Sequence, residues 1–272
     1  MSAARQLVVC ADDYGLSQGI DRAIERLLAA GRLGAVSCLV NGARWAQDGP
    51  ALAAQAGTAS IGLHFNLSEG APLSPTLARL WPRLPPLSRL LVDAALHRLP
   101  AAAIADEFDA QWQRFVAVAG RPPAHVDGHQ HVHALPGVRE HLVARLRALA
   151  LPPLVRDTAV LTGPGGRFKR AVIAAAGGHG LRRLLDEAGL RRNSALAGAY
   201  GFEAQGYGER MQRWLAELPA RGGWLFCHPG DADPELHDDP IAAARIQEAA
   251  YLASPAFADD LRAAGVELIT PA

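Results

Sequence analysis

The sequence predicts an α/β protein folded as an irregular (β/α) barrel of about seven parallel strands, TIM-barrel-like but with fewer than eight units. Uninterrupted apolar runs, such as Leu-Val-Val-Cys-Ala at residues 7–11, are typical of parallel strands covered on both faces. Most of these runs are followed, after a short loop, by a segment with helical periodicity. An open, doubly wound sheet is the alternative. Both architectures place ligands at the carboxyl ends of the strands.

The predicted elements alternate along the chain. Ser17 is suited to cap the first helix, which ends before Gly31, because its hydroxyl can accept a hydrogen bond from a free backbone N–H. The predicted strands cover residues 7–11, 35–40, 60–65, 124–127, 152–156, 223–227 and 266–269. The later predicted helices cover residues 43–56, 101–119, 137–149, 167–190, 207–218 and 242–264.

Residues 69–100 interrupt this alternation. They contain Trp81 and a set of prolines at positions 72, 75, 82, 85, 86 and 100. Long connections of this kind in α/β enzymes are often lids or substrate-binding loops, although a variable surface insertion has the same composition. The chain has no internal repeat and no separating linker, so residues 1–272 are expected to form a single domain with an insertion near the site.

The composition limits the classes of function. Lys and Arg together number 27, as do Asp and Glu, so the formal net charge is zero. Nucleic-acid-binding proteins usually carry a basic excess, and we expect no nucleic-acid partner. The three cysteines lie in apolar runs and are expected to be reduced and buried.

The sequence also bears on location and assembly. No apolar stretch reaches membrane-spanning length, and the start of the chain lacks a signal-peptide core, which makes the cytoplasm the expected location. The oligomeric state stays open, with a homodimer among the alternatives.

Polar side chains follow several of the predicted strands. Asp12 and Asp13 follow the first strand, His64 lies near the end of the third, and His228 follows the strand at 223–227. Parallel strands share one carboxyl rim, so these groups are expected to converge. Adjacent strand residues point to opposite sides, which suggests that one aspartate binds a metal while the other faces the attacking water. A solvated turn with Asp13 as a helix cap is the alternative.

Residues 125–133, His-Val-Asp-Gly-His-Gln-His-Val-His, hold four of the ten histidines. The histidines and Asp127 fall on alternate positions and share a face while the chain is extended; Gly128 is expected to bend it. Imidazoles favour zinc, iron or nickel, and an added carboxylate also admits magnesium or manganese. Asp127 is well placed to orient a ligand histidine. A polar surface loop is the alternative.

Five blocks of the chain carry a family resemblance. They are residues 11–17 (Ala-Asp-Asp-Tyr-Gly-Leu-Ser), 39–42 (Leu-Val-Asn-Gly), 62–67 (Gly-Leu-His-Phe-Asn-Leu), 125–133 and 227–230 (Cys-His-Pro-Gly). In this order they resemble the YdjC-like carbohydrate deacetylases, which include the chitooligosaccharide and hopanoid-biosynthesis deacetylases. Residues 70–100 and 156–206 match poorly, so the acceptor sugar is left undefined.

The resemblance implies a distorted (β/α) barrel, one divalent metal ion (magnesium or zinc) and removal of acetyl groups from N-acetylated amino sugars, such as chitooligosaccharide or glycolipid-linked and hopanoid-linked N-acetylglucosamine. The family's metal ligands correspond to Asp13, His64 and His129. Its base corresponds to Asp12 and its acid to His228. The other polar residues of the blocks are expected to orient these groups or contact substrate: Asn66, His125, Asp127, His131 and His133.

Two other functions fit parts of the sequence. Another metallohydrolase, such as a phosphoesterase or amidohydrolase, commonly carries a His-x-His pair on its first strand, where this chain has two carboxylates. A non-catalytic metal- or sugar-binding module would need neither Asp12 nor His228. Separately, a set of basic residues could face an anionic membrane, or form a solvated helical face offset by Asp186 and Glu187; these are Arg167, Lys169, Arg170, Arg182, Arg183, Arg191 and Arg192.

Overall fold

A parallel β-sheet forms the centre of the protein, whose computed structural model describes residues 4–163 and 177–271. The strands pair in the order β5-β4-β3-β2-β1-β7-β6, and β8 pairs with the first half of β1. Their bounds are β1 Arg5–Tyr14, β2 Ala35–Cys38, β3 Ser60–Phe65, β4 His125–Gly128, β5 Leu154–Val155, β6 Leu196–Ala197, β7 Gly223–Cys227 and β8 Val266–Leu268.

The ends of this strand path approach each other. Isolated parallel bridges join Val155 to Arg192 and Leu161 to Leu196, so the chain that continues β5 runs beside the chain that leads into β6. The seven strands of the path therefore curl into an irregular barrel, and the predicted fold class is confirmed.

Helices connect the strands. Their bounds are α1 Gln18–Ala29, α2 Trp45–Ala53, α3 Pro75–Leu80, α4 Leu87–Ala95, α5 Ala101–Ala119, α6 Arg139–Arg147, α7 His179–Ala188, α8 Tyr207–Ala216, α9 Ala242–Ala253 and α10 Pro255–Ala264. In α1, Ile20, Ile24 and Leu27 are buried in the same core as Val9 of β1. This spacing places one apolar face of the helix against the sheet.

Three elements differ from the sequence prediction. Strand β6 has only two residues, too few for a periodic pattern, and was not predicted. The helix predicted over 242–264 is two helices, α9 and α10, because Pro255 has no N–H to continue the first helix and disfavours helical backbone at Ser254. The proline-rich segment 69–100 contains two short helices, α3 and α4.

The described part of the basic segment carries ion pairs. Arg182 Nε lies 2.6 Å from Asp157 Oδ2, and Arg192 Nε lies 2.9 Å from Asp186 Oδ1. These carboxylates favour the interpretation of a paired, solvated face. Arg167, Lys169, Arg170 and the first part of the helix predicted over 167–190, up to residue 176, lie outside the described residues, and its remainder contains α7. Among the described helices, none has the length and apolar character needed to cross a membrane.

Asp21 of α1 holds the turn that follows β1. Its Oδ1 accepts a hydrogen bond from the backbone N–H of Gly15 at 2.7 Å, and Ser17 caps the helix by accepting from Ile20 N–H, as predicted. Gly15 has a φ of 97°, which strongly favours glycine. Burial, together with the nearby carboxylates of Asp48 and Glu25, raises the pKa of Asp21 to about 8.

We predict that Asp21→Asn removes a pH-dependent loss of stability. The native protein keeps the Asp21 proton up to a pKa of about 8, whereas an ordinary aspartate releases it near 3.8. The free energy of unfolding therefore falls as pH rises between these values. Asparagine keeps the acceptor for Gly15 but cannot ionise. Thermal unfolding should show the variant melting above wild type at pH 9, with a clearly smaller difference at pH 5.

Asp238→Asn is the control for this experiment, because the side chain of Asp238 is 90% exposed. Its melting temperature should equal that of wild type at both pH 5 and pH 9. An Asp21→Asn protein less stable than wild type at pH 9 would contradict the prediction.

Candidate metal and catalytic centre

Strand β1 changes its pattern at its carboxyl end. Val8 and Cys10 belong to a small apolar cluster inside the barrel, and Asp12 continues this alternate set. Asp13 then adopts a left-handed backbone with φ 72°, and the pairing of β1 with β2 shifts just after Ala11. This bulge brings both Asp12 and Asp13 to one cavity of about 480 Å³, whereas simple alternation predicts opposite sides.

Asp13, His64 and His129 converge on this cavity. His64 Nε2 lies 3.4 Å from Asp13 Oδ1, and His129 Nδ1 lies 3.0 Å from the same oxygen. Ligands that bind one ion at about 2.1 Å are separated by roughly 3.0–3.4 Å in octahedral or tetrahedral geometry. Both distances to Asp13 Oδ1 thus match a single coordination shell, and the three ligand atoms lie within 4.8 Å of one another, so the residues fit a divalent cation.

A carboxylate contacts the outer nitrogen of each histidine. His64 Nδ1 lies 2.6 Å from Asp127 Oδ1, and His129 Nε2 lies 3.1 Å from Glu69 Oε2. A proton held on these outer nitrogens leaves His64 Nε2 and His129 Nδ1 with lone pairs for a metal. Asp127, predicted to orient a ligand histidine, contacts His64 in this way. Glu69 was not predicted as a site residue, because a single glutamate in a polar loop has no distinguishing pattern.

The charges of this cluster favour a cation. Burial lowers the pKa of His64, but Asp127 and Asp12 outweigh it and raise the value to about 10. Burial raises the pKa of Asp13, but Arg245 and His129 outweigh it and hold the pKa well below its usual range. Protons therefore balance the carboxylates when no metal is bound. A divalent ion would displace them, so metal binding is expected to release protons.

Arg156 neutralises two further carboxylates inside the barrel. Its guanidinium lies 2.7 Å from each oxygen of Asp12 and 2.6 Å from Asp127 Oδ2, and it is fully buried. Asp12, His64 and Asp127 could also group around an ion, but the guanidinium already binds both oxygens of Asp12 and one oxygen of Asp127. The sequence signal for Arg156, a lone cation at the end of a predicted strand, was overlooked.

The chain bends at Gly128, as expected, so the other histidines of residues 125–133 lie in different places. His125 is buried beneath the cavity between Ser37 and Ser60, and burial lowers its pKa to about 4. His133 Nε2 donates to the carbonyl of Arg156.

His131 lines the cavity, and its backbone, like that of Gln130, is left-handed, with φ values of 61° and 52°. Backbone strain of this kind is often found at functional sites. The segment therefore leaves the extended conformation immediately after the strand, and only part of the predicted histidine face reaches the cavity.

His228, the predicted acid, also lines the cavity. Its backbone N–H donates to Glu248 Oε2, and its ring packs edge-on against Phe202 and Phe226, with centroids 5.2 and 5.6 Å away. Within the described residues, its Nδ1 is buried without a hydrogen-bond partner. Burial lowers the pKa of His228 to about 4, so the ring is neutral near pH 7.

Comparison with known proteins identifies the family. The model of the YdjC-like protein family matches residues 6–263. The chain belongs to the YdjC-like family. A mouse carbohydrate deacetylase is 36% identical over 248 residues, which cover 83% of this chain and 78% of the relative. A chitooligosaccharide deacetylase from Enterobacter sp. (strain 638) is 29% identical, with 92% of each chain covered.

A solved structure also matches this fold. It is a protein from Enterococcus faecalis V583 named for cellobiose-phosphate cleavage, with a TM-score of 0.74 and 18% identity over 98% of this chain and 97% of that one. At this identity the likeness concerns the fold alone. The resemblance drawn from the sequence blocks is confirmed, and the YdjC-like chain is a hydrolase by its family.

We predict that divalent metal raises the melting temperature of this YdjC-like protein and that Asp13→Ala abolishes the increase. A metal that binds only the folded state stabilises it in proportion to the logarithm of its concentration. Thermal unfolding with magnesium, manganese or zinc, each against chelator, gives the measurement. Asp109→Ala, which removes a half-exposed surface carboxylate, should keep the full increase. An equal increase in Asp13→Ala would contradict the assignment.

We predict that Arg156→Met lowers the free energy of unfolding by about 3–5 kcal/mol, because buried Asp12 loses its paired cation and Asp127 keeps only His64 as a cationic partner. Arg26→Ala is the comparison, since it breaks a surface pair with Asp231 whose arginine is 54% exposed. Such pairs contribute about 0–1 kcal/mol. Urea unfolding of both variants measures the difference. Equal losses of unfolding free energy in the two variants would contradict the prediction, because they would show that the buried ion pairs stabilise the fold no more than a surface pair does.

Proposed function

We propose that this protein removes the acetyl group from an N-acetylated amino sugar, using one divalent metal ion, magnesium or zinc, held by Asp13, His64 and His129. One observation carries the proposal. His64 and His129 each place a nitrogen at metal-ligand spacing from Asp13 Oδ1, in the cavity that Asp12 also lines. The carbohydrate and chitooligosaccharide deacetylases among the relatives support the substrate class. Chitooligosaccharides and glycolipid-linked N-acetylglucosamine are the candidate substrates.

Asp12 is the proposed base. A bound divalent ion supplies Lewis-acid chemistry, which polarises the acetyl carbonyl and acidifies water. Arg156 holds both oxygens of Asp12 in one plane and keeps the carboxylate aligned, while Asp12 still lines the cavity. Asp12 accepts the proton of the attacking water through a remaining lone pair.

His228 is the proposed acid. It is neutral before reaction, because its pKa is about 4. It must first receive a proton, and the proton that Asp12 takes from water is the nearest source in the reaction. Transfer from His228 to the nitrogen then lets the amine leave, with acetate and the free amino sugar as products. Phe202 and Phe226, which flank His228, give the sugar an apolar wall to pack against.

The competing functions make different predictions. A metal- or sugar-binding module would bind sugar without releasing acetate. A phosphoesterase would release phosphate from aryl phosphates and leave N-acetyl sugars intact. Acetate release from a panel of N-acetylated oligosaccharides and glycolipids, with an aryl phosphate included, distinguishes all three.

We predict that Asp12→Asn keeps the metal but loses about two to four orders of magnitude in kcat, the usual scale for a general base. Asparagine is nearly the same shape and cannot accept the proton. Acetate release measures activity, and the metal-dependent thermal shift shows that the site is intact. A fully active Asp12→Asn would move the base elsewhere, with Asp127 as the next candidate.

We predict that His228→Ala strongly reduces hydrolysis of N-acetyl sugars and retains much of the activity on an aryl acetate. An amine must be protonated as it leaves, whereas an activated phenol leaves as its anion. If His228 only packs beneath Pro229, the variant should lose activity equally on both substrates, and its thermal stability should fall. Equal losses in a stably folded variant would remove His228 from the acid role.

A further inference from the structure

We propose that Glu69 is a positioning residue for the metal ligand His129 and makes metal affinity depend on the loop that begins the 69–100 segment. The inference rests on the proposed metal site. It concerns a residue with no role in the reaction itself, since Glu69 faces the outer nitrogen of His129 and not the coordinating one.

The contact selects one tautomer of His129. Glu69 Oε2 lies 3.1 Å from Nε2, and Nδ1 lies 3.0 Å from Asp13 Oδ1. A neutral imidazole carries one N–H, and if Asp13 binds the metal, Glu69 is the carboxylate left to accept that N–H, which favours the tautomer protonated on Nε2. With the proton on Nε2, the lone pair of Nδ1 points toward the atoms that would share the metal. Without Glu69, both tautomers and other ring orientations become accessible.

The backbone of Glu69 is held by two asparagines. Asn66 Oδ1 accepts from the N–H groups of Ser68 and Glu69, at 2.9 and 3.1 Å, and Asn66 Nδ2 donates to the carbonyl of Glu69 at 2.9 Å. Asn41 donates to the carbonyls of Glu69 and Ala71. Asn66 was predicted to orient ligands or contact substrate; these bonds assign it to the loop that carries Glu69.

The two ligand histidines are therefore held in unequal ways. His64 is oriented by Asp127, which is fully buried and is itself paired with Arg156. His129 is oriented by Glu69, whose side chain is 48% exposed and sits at the start of a long connection between strands. The His64 geometry is part of the barrel core. The His129 geometry depends on a surface loop, so displacement of that loop should loosen the metal.

Metal affinity tests the proposal. Titration of the apo protein with zinc, in competition with a chromophoric chelator, gives the Kd of each variant. Glu69→Ala should weaken binding about 10- to 100-fold, the usual cost of removing a carboxylate that orients a ligand histidine. Glu69→Gln should lose less, because its amide oxygen still accepts from Nε2–H. Asn66→Ala should weaken binding with Glu69 still present.

Glu235→Ala is the matched control, because Glu235 also lines the cavity but forms no bond to His129. If Glu235→Ala weakens zinc binding as much as Glu69→Ala, the effect is one of net charge and the proposal is overturned. Unchanged affinity in Glu69→Ala also overturns it. If wild type and Asp13→Ala bind zinc equally, the proposed metal site itself is wrong, and the inference fails with it.

Discussion

The buried guanidinium of Arg156 is the contact on which the rest of the centre depends. It reaches Asp12 and Asp127 in a barrel interior where an unpaired carboxylate carries a large desolvation cost. Beside this cation, Asp127 contacts His64 through its other oxygen, and Asp12 lines the cavity. One cation is thereby shared by two carboxylates with different proposed tasks, Asp127 in orienting a ligand and Asp12 in accepting a proton.

Arg245 has the corresponding position on the other side of the centre. It lies 2.8 Å from Asp13 Oδ2 and 2.6 Å from Asp239, and it comes from α9 rather than from a strand. Asp13 consequently presents only Oδ1 to the two histidines. The centre thus combines barrel residues, which supply the candidate ligands, with a helix residue that fixes which oxygen of Asp13 is available.

The sequence predicted those features that depend on local pattern. Apolar runs identified most of the barrel strands, strand ends placed Asp13 and His64 on one rim, and the family resemblance added His129. Features fixed by tertiary contacts were not predictable in this way. The two-residue strand β6 exists through its pairing with β7, and Arg156 and Glu69 acquire their roles only from residues far along the chain. Pro255, by contrast, is a local signal for a helix break, although the prediction over 242–264 was one continuous helix.

The bulge at Asp13 has a consequence for how such a centre can be built. In a regular strand, one of two adjacent carboxylates would point into the outer core, and Tyr14 would point into the barrel. The additional residue lets both carboxylates reach the cavity and returns Tyr14 to the apolar core, where it is fully buried. A barrel made only of regular strands would have to take its second carboxylate from a neighbouring strand, at a different height in the wall.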